Sequence, residues 1–316
     1  MRVVFIDTVH EILEQRLTQN GYKCIDGTKD SVDSLIPKLI DAEGIIIRSR
    51  FRMDNSFLKY CPKLKFIARS GAGMENIDEE YCKNRKIQLI NAPEGNRNAV
   101  GEHTLAMLLS LLNKLNSASN EVKNGIWNRE ANRGLELDGK TVGILGFGNN
   151  GSSFVQKLRG FEVEILAYDK YKSDFGNDFL KESSLEEIFQ KADIVSFHIP
   201  QNEETIFMAN DAFFHSFSKN IFLLNLARGK IVQTSALVSA LKTGKVLGAG
   251  LDVLEYENAH FEDFFNQEIP ANFQYLLDAK NVILTPHVGG WTAESYFKLS
   301  DVLADKVIDL FGKWGF

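Results

Sequence analysis

The feature that most restricts the fold is a turn: Val142-Gly143-Ile144-Leu145 runs into Gly146-Phe147-Gly148-Asn149-Asn150-Gly151, and a helical stretch follows. Glycines at this spacing between an apolar strand and a helix do separate jobs. Gly146 permits the tight turn, Gly148 lets the backbone approach a pyrophosphate, and Gly151 lets the helix pack close to the strand, while the free N–H groups of the helix N-terminus meet the anion. Asn149 and Asn150 occupy positions where apolar residues commonly pack, and they are counted with this turn. The next apolar run, Val163 to Tyr168, ends at Asp169. A carboxylate there accepts hydrogen bonds from ribose hydroxyls and repels a 2′-phosphate. By itself the glycine pattern could be an ordinary turn and Asp169 a helix cap. Strand, helix and acid together predict a dinucleotide site for NAD rather than NADP, although Lys170 beside the acid weakens the distinction.

Short apolar runs alternate with helical patterns along the chain, as in βαβ units of a parallel sheet. Strand candidates in the first part are Val3 to Asp7, Gly44 to Ser49, Lys65 to Ser70 and Ile87 to Asn91. After Gly139 come Thr141 to Leu145, Val163 to Tyr168, Ile194 to His198, Ile221 to Leu226, Val246 to Val253 and Val282 to Leu284, a number that fits the two mononucleotide-binding halves of a Rossmann sheet. A buried helix is expected from Asn98 to about Ser119, and a last helix from Ala293 to Phe311. The fold class is therefore α/β. Residues 99–287 are expected to form the dinucleotide-binding domain, and 1–98 with 288–316 a discontinuous substrate-binding domain.

Composition removes other classes. A formal charge of −6 provides no global positive field for nucleic acid or anionic lipid. Cys24, Cys61 and Cys82 are odd in number and form no CxxC pair, so neither a disulfide framework nor a metal site is expected, and a reducing, cytoplasmic location fits. No apolar run approaches the roughly 18 to 20 residues that span a bilayer, and the segment after Met1-Arg2 is too short for a signal-peptide core.

Three residues follow strands in the second part: Arg228 in Asn225-Leu226-Ala227-Arg228-Gly229, Glu257 after Asp252-Val253-Leu254-Glu255-Tyr256, and His287 in Thr285-Pro286-His287-Val288-Gly289-Gly290. Ligands of open α/β sheets bind beyond the carboxyl ends of strands, so the three could meet at one site. With the glycine turn, these segments resemble the NAD-dependent D-isomer-specific 2-hydroxyacid dehydrogenases, and the resemblance covers essentially the whole chain. Ile46-Ile47-Arg48-Ser49-Arg50, Arg69-Ser70-Gly71-Ala72-Gly73 and Asn91-Ala92-Pro93-Glu94-Gly95-Asn96 are most similar to short phosphoglycerate-oxidising members, without room for the C-terminal regulatory domain of longer ones. The resemblance implies two doubly wound parallel-sheet domains: a Rossmann NAD-binding domain and a smaller flavodoxin-like substrate-binding domain. It also implies a homodimer through the cofactor domain.

The chemistry of the residues agrees. Oxidising a 2-hydroxy acid requires a base for the hydroxyl proton, a grip on the carboxylate and C2 presented to the nicotinamide. A neutral His287 is a suitable base near pH 7. Glu257 on the other ring nitrogen would fix the tautomer, and Arg228 offers a planar fork for the carboxylate. Singly, each of these would be an ordinary surface or structural residue. Asn258 stands where the family usually places proline, which loosens that loop. By resemblance Asp252 sits beside the nicotinamide carboxamide, His198 and Pro200 line the cofactor, and Ala227 adds backbone contacts. His10, His103, His215 and His260 lack such context and read as structural or solvated, and Trp127, Trp291 and Trp314 serve packing as easily as a site.

For the substrate, Arg48 and Arg50 leave the same face of a strand end, and two converging guanidinium groups would suit a phosphate. A solvated basic edge that includes Arg52 is the alternative. The resemblance implies Arg48 and Ser49 at a phosphate, Ser70, Gly71, Ala72 and Gly73 at the substrate carboxylate, and Asn96 within reach of substrate. A small, phosphorylated 2-hydroxy or 2-keto acid is the expected partner. A glyoxylate or hydroxypyruvate reductase would need one cationic contact fewer, and a nonenzymatic NAD-sensing interaction protein is the alternative from another class.

Overall fold

The computed structural model describes residues 1–257 and 269–313. The chain forms two compact units, Met1–Arg97 with Trp291–Phe316, and Asn98–Gly290.

In the first unit, strands β1 (Arg2–Phe5), β2 (Lys23–Asp26), β3 (Gly44–Ile47), β4 (Phe66–Arg69) and β5 (Gln88–Asn91) form one parallel sheet in the order β2-β1-β3-β4-β5. This is the flavodoxin-like order. β3 and β4 are buried at every position, as expected of central parallel strands covered on both faces. The sequence reading passed over β2 because Lys23-Cys24-Ile25-Asp26 is a half-exposed edge strand with charged ends. On one face the last helix, Ala293–Phe311, buries Leu299, Leu303, Ala304 and Val307 against Val3, Phe5, Phe66 and Ile90. Its start is set by Thr292 and Ser295, whose side chains reciprocally cap each other's backbone N–H.

In the second unit, β6 (Thr141–Leu145), β7 (Glu164–Tyr168), β8 (Lys181–Glu182), β9 (Ile194–Phe197), β10 (Ile221–Asn225), β11 (Val246–Leu251) and β12 (Val282–Leu284) make one parallel sheet ordered β12-β11-β10-β9-β6-β7-β8. The chain winds outward from β6 through β7 to β8, then returns to β9 on the other side of β6. That reversal is the switch point at which doubly wound sheets bind ligands. β8, an exposed two-residue edge strand, carries no apolar signal and was not expected.

The helix expected from Asn98 to Ser119 is two helices, Pro93–Leu112 and Leu115–Lys123. Lys114 breaks them with a left-handed backbone, φ +52°. Its side chain is fixed by donating to the Ala131 carbonyl at 2.8 Å. The second helix buries none of its residues.

Candidate active site

The turn after β6 divides its labour among the glycines. Gly146 has φ +97°, and a Cβ there would lie 2.7 Å from the His198 carbonyl oxygen. At Gly151 a Cβ would stand 2.0 Å from the Gly146 carbonyl, so only glycine lets the helix Asn149–Lys157 approach the strand. A Cβ on Gly148 would meet no atom within 4 Å. Its bare backbone faces open space at a helix start that has no side-chain cap, the geometry of an anion seat. The buried Oδ1 of Asn150, one of the two unexpected asparagines, has no partner, and Asn149 lends its carbonyl to Ser152 at 3.2 Å. A pyrophosphate-bearing cofactor fits this open, donor-rich turn.

Asp169 Oδ2 accepts the Phe147 N–H at 2.8 Å and Oδ1 the Tyr171 N–H at 2.9 Å, so the carboxylate is pinned beside the turn. Lys170 is drawn to Glu204 at 2.6 Å. Beyond β9, the His198 ring Nε2 lies 2.8 Å from Ser196 Oγ while its buried Nδ1 has no partner. Burial pushes this imidazole down to about 3. Pro200 follows, its carbonyl accepting the Thr205 hydroxyl at 2.7 Å.

The ends of β10, β11 and β12 build the chemical part. Asn225 braces the Arg228 loop: its Oδ1 accepts the Ala227 N–H at 3.1 Å and its Nδ2 donates to the Arg228 carbonyl at 2.9 Å. Arg228 Nη1 donates to the Ala227 carbonyl at 2.7 Å. A Cβ on Gly229 would fall 1.9 Å from the Leu254 carbonyl oxygen, which itself accepts the Glu257 N–H at 3.1 Å. The Arg228 and Glu257 loops are therefore packed backbone to backbone.

Glu257 Oε2 lies 3.2 Å from His287 Nδ1. With Nδ1–H donating to the carboxylate, Nε2 keeps its lone pair and can accept a proton. His287 has φ +55°, and its N–H donates to the Asp252 carbonyl at 2.8 Å. Asp252 is buried, and its carboxylate receives the Thr285 hydroxyl at 2.5 Å and the N–H groups of Val288 and Gly289 at 2.9 and 2.8 Å. Its acceptors thus hold the histidine loop. Asn258, His260 and Trp314 lie outside the described residues.

In the first unit, the loop after β3 corrects one expectation. Arg50 does not join Arg48 at an anion: its guanidinium donates to the carbonyls of Ile6, Gly27, Thr28 and Asp30 at 2.6–3.2 Å. The N–H groups of Arg48, Ser49 and Arg50 all converge on Asp7 Oδ2 at 2.7–3.0 Å, so the backbone there is occupied by a protein carboxylate. Arg48 points its guanidinium over the Trp291 ring, 4.7 Å from the centroid. Arg52 is an exposed residue 3.5 Å from Asp54.

Arg69 ties this loop to the next, donating to the Arg48 carbonyl at 2.8 Å and the Gly73 carbonyl at 2.5 Å. A Cβ on Gly71 would sit 2.8 Å from the Arg69 guanidinium. Ser70 N–H is spent on Ile47, and the Ala72 carbonyl accepts Asn91. The N–H groups of Ala72 and Gly73 have no partner among the described residues, as an anion cradle requires. Asn96 has a buried Oδ1 without a partner. Sequence reading missed Asp7 and Arg69. A carboxylate two residues past β1, opposite the loop after its neighbour β3, is the signal that could have found Asp7.

Residues 105–289, over half of the chain, match the model of the D-isomer-specific 2-hydroxyacid dehydrogenase NAD-binding domain. The chain belongs to this family. It is 30% identical over 312 residues to D-3-phosphoglycerate dehydrogenase of Archaeoglobus fulgidus, covering 98% of this chain and 57% of that protein. To glyoxylate reductase of Pyrococcus furiosus it is 32% identical over 285 residues, covering 87% and 81% of the two chains. The structure of a D-lactate dehydrogenase from Aquifex aeolicus with NAD and lactic acid superposes with a TM-score of 0.81 at 27% identity, covering 99% and 96%. This chain spans little more than half the length of several phosphoglycerate dehydrogenases it matches. The chain thus carries the family's Rossmann-type NAD-binding domain and a second parallel-sheet domain.

Proposed function

We propose that this dehydrogenase oxidises D-3-phosphoglycerate to 3-phosphohydroxypyruvate, the oxidation that opens serine biosynthesis, and reduces the keto acid in the reverse direction. The His287–Glu257 pair carries the chemical reading. His287 Nε2 takes the C2 hydroxyl proton, Glu257 stabilises the imidazolium that forms, and Arg228 holds the carboxylate and polarises the C2 oxygen. The loop Gly146–Gly151 with Asp169 would hold NAD, whose nicotinamide would supply the acceptor for the C2 hydride. His198, Pro200 and Ala227 would line it, and Asp252 acts from behind by fixing the His287 loop.

Arg48 supports a phosphorylated substrate: its guanidinium has no carboxylate partner among the described residues. The free N–H groups of Ala72 and Gly73 would share the other anionic end of the substrate, with Ser49, Ser70, Gly71 and Asn96 around it. A second reading is favoured by Arg50, whose diversion to backbone carbonyls removes one of two cations. It makes the enzyme a reductase of unphosphorylated acids such as glyoxylate or hydroxypyruvate.

Initial rates of NADH oxidation with phosphohydroxypyruvate, hydroxypyruvate and glyoxylate separate the two. The expected result is the highest kcat/KM for the phosphorylated acid, with Arg48→Ala raising its KM by about tenfold or more and leaving that for hydroxypyruvate within about twofold. Equal effects on both acids would remove the phosphate from Arg48.

Among the described residues no helix is long and apolar enough to cross a membrane, and Cys24, Cys61 and Cys82 are free thiols. A reducing cytoplasm suits those thiols. The working form is a homodimer, supported by the exposed Leu115, Val122, Ile126, Trp127 and Leu135 on one short stretch of the cofactor unit.

A further inference from the structure

We propose that His103 is a positioning residue for the catalytic histidine, acting through the Thr285 hydroxyl; the proposal rests on the reading of His287 as the base. His103 lies on the helix Pro93–Leu112, far in sequence from the active-site loops. Its Nε2 is 3.2 Å from Thr285 Oγ1 and 3.7 Å from Asp252 Oδ1. The Thr285 hydroxyl lies 2.5 Å from that same Asp252 oxygen.

Asp252 is a single anchor for both flanks of His287. Its carbonyl takes the His287 N–H, and its carboxylate takes the side chain of Thr285 and the N–H groups of Val288 and Gly289. Gly289 is needed for that approach, since a Cβ there would stand 2.8 Å from Asp252 Oδ2. The clamp holds His287 at φ +55°, a conformation that relaxes unless its surroundings over-determine it.

Thr285 has one hydroxyl proton, and the clamp needs it on Asp252. A hydroxyl rotor is fixed when one neighbour donates to it and another accepts from it. His103, as the Nε2–H tautomer, is the donor and Asp252 the acceptor. Removing the imidazole frees the rotor, loosens the Thr285 side of the clamp and lets His287 depart from the line to the substrate hydroxyl. Misplacement of a base by fractions of an ångström lowers turnover more than binding.

The test uses the full-length enzyme with His103→Leu, His103→Gln, Thr285→Val and the double variant His103→Leu/Thr285→Val, following kcat, KM, NADH affinity by fluorescence and Tm. His103→Leu should lower kcat about tenfold, with KM and NADH affinity within about twofold. His103→Gln, whose Nε2 still donates, should recover most of the loss. The double variant should be no slower than the slower single, because both changes act through one hydroxyl. Normal kcat in His103→Leu, no recovery by glutamine, or additive losses in the double variant would each overturn the proposal. If His103→Leu does not fold, the near-isosteric Thr285→Val carries the same kcat-against-KM test. His287→Ala keeps the two readings apart: normal turnover there sinks the base itself, whereas an inactive His287→Ala with normal His103→Leu sinks only the positioning role.

Discussion

His287 occupies a backbone region that costs a non-glycine residue of order 1–3 kcal/mol, and the hydrogen bonds to Asp252 and Glu257 hold it there. Strain maintained by two acidic residues on separate loops is a reason to assign the ring a chemical task. On the proposed assignment His287→Ala should lower kcat by about 100-fold or more while leaving NADH affinity near normal, because it would remove the proton acceptor and touch none of the glycine turn. Stopped-flow turnover beside a fluorescence titration of NADH checks both halves, and near-normal turnover would end the assignment. Arg228, Glu257 and His287 were legible in the sequence because each sits in a short motif just past a strand. Asp7, Arg69 and His103 were not, since Arg48, which both Asp7 and Arg69 bind, and Thr285, which His103 meets, are brought to them only by the winding of the sheets.

At the scale of elements, what sequence patterning revealed depended on burial. β3, β4, β6, β9 and β10 are buried at every position and stood out as apolar runs. The edge strands β2 and β8 did not, and the break at Lys114 was invisible because apolar periodicity resumes after it. The junction of β6 and β9 makes a prediction of its own. His198 packs there against the turn, and its imidazole is pushed down to about 3 from 6.5 by burial. The unfolded chain therefore binds a proton below pH 6.5 that the folded chain refuses until about pH 3. Stability from this residue is complete above pH 6.5 and is lost as the pH falls through that window, with a limiting slope of about 1.4 kcal/mol per pH unit. Urea midpoints measured from pH 7 to 4 should fall more steeply for the native sequence than for His198→Gln, which keeps a hydrogen-bonding side chain but does not titrate. Parallel curves would show that His198 is protonated in the folded state.

For the molecule as a whole, the unexplained surface is the segment beyond Lys114. Trp127 is 79% exposed, and Leu115, Val122, Ile126 and Leu135 are each about half exposed, within a stretch that the helix Leu115–Lys123 begins without burying a residue. Single exposed apolar side chains are ordinary, but a cluster of this kind marks a contact surface. The cluster carries no net-charge signal for an ionic partner, and an apolar patch can pair with its own copy across a twofold axis, the commonest closed assembly. Light scattering should accordingly give twice the 35.6 kDa of one chain. Val122→Asp with Trp127→Glu places two carboxylates in each half of that contact, where desolvation and like-charge repulsion act together, so the variant should elute as a monomer. Its far-UV circular dichroism should remain native, because neither side chain belongs to a buried cluster. A wild-type chain that is monomeric at micromolar concentration, or a variant that remains dimeric, would assign this surface to something other than self-association.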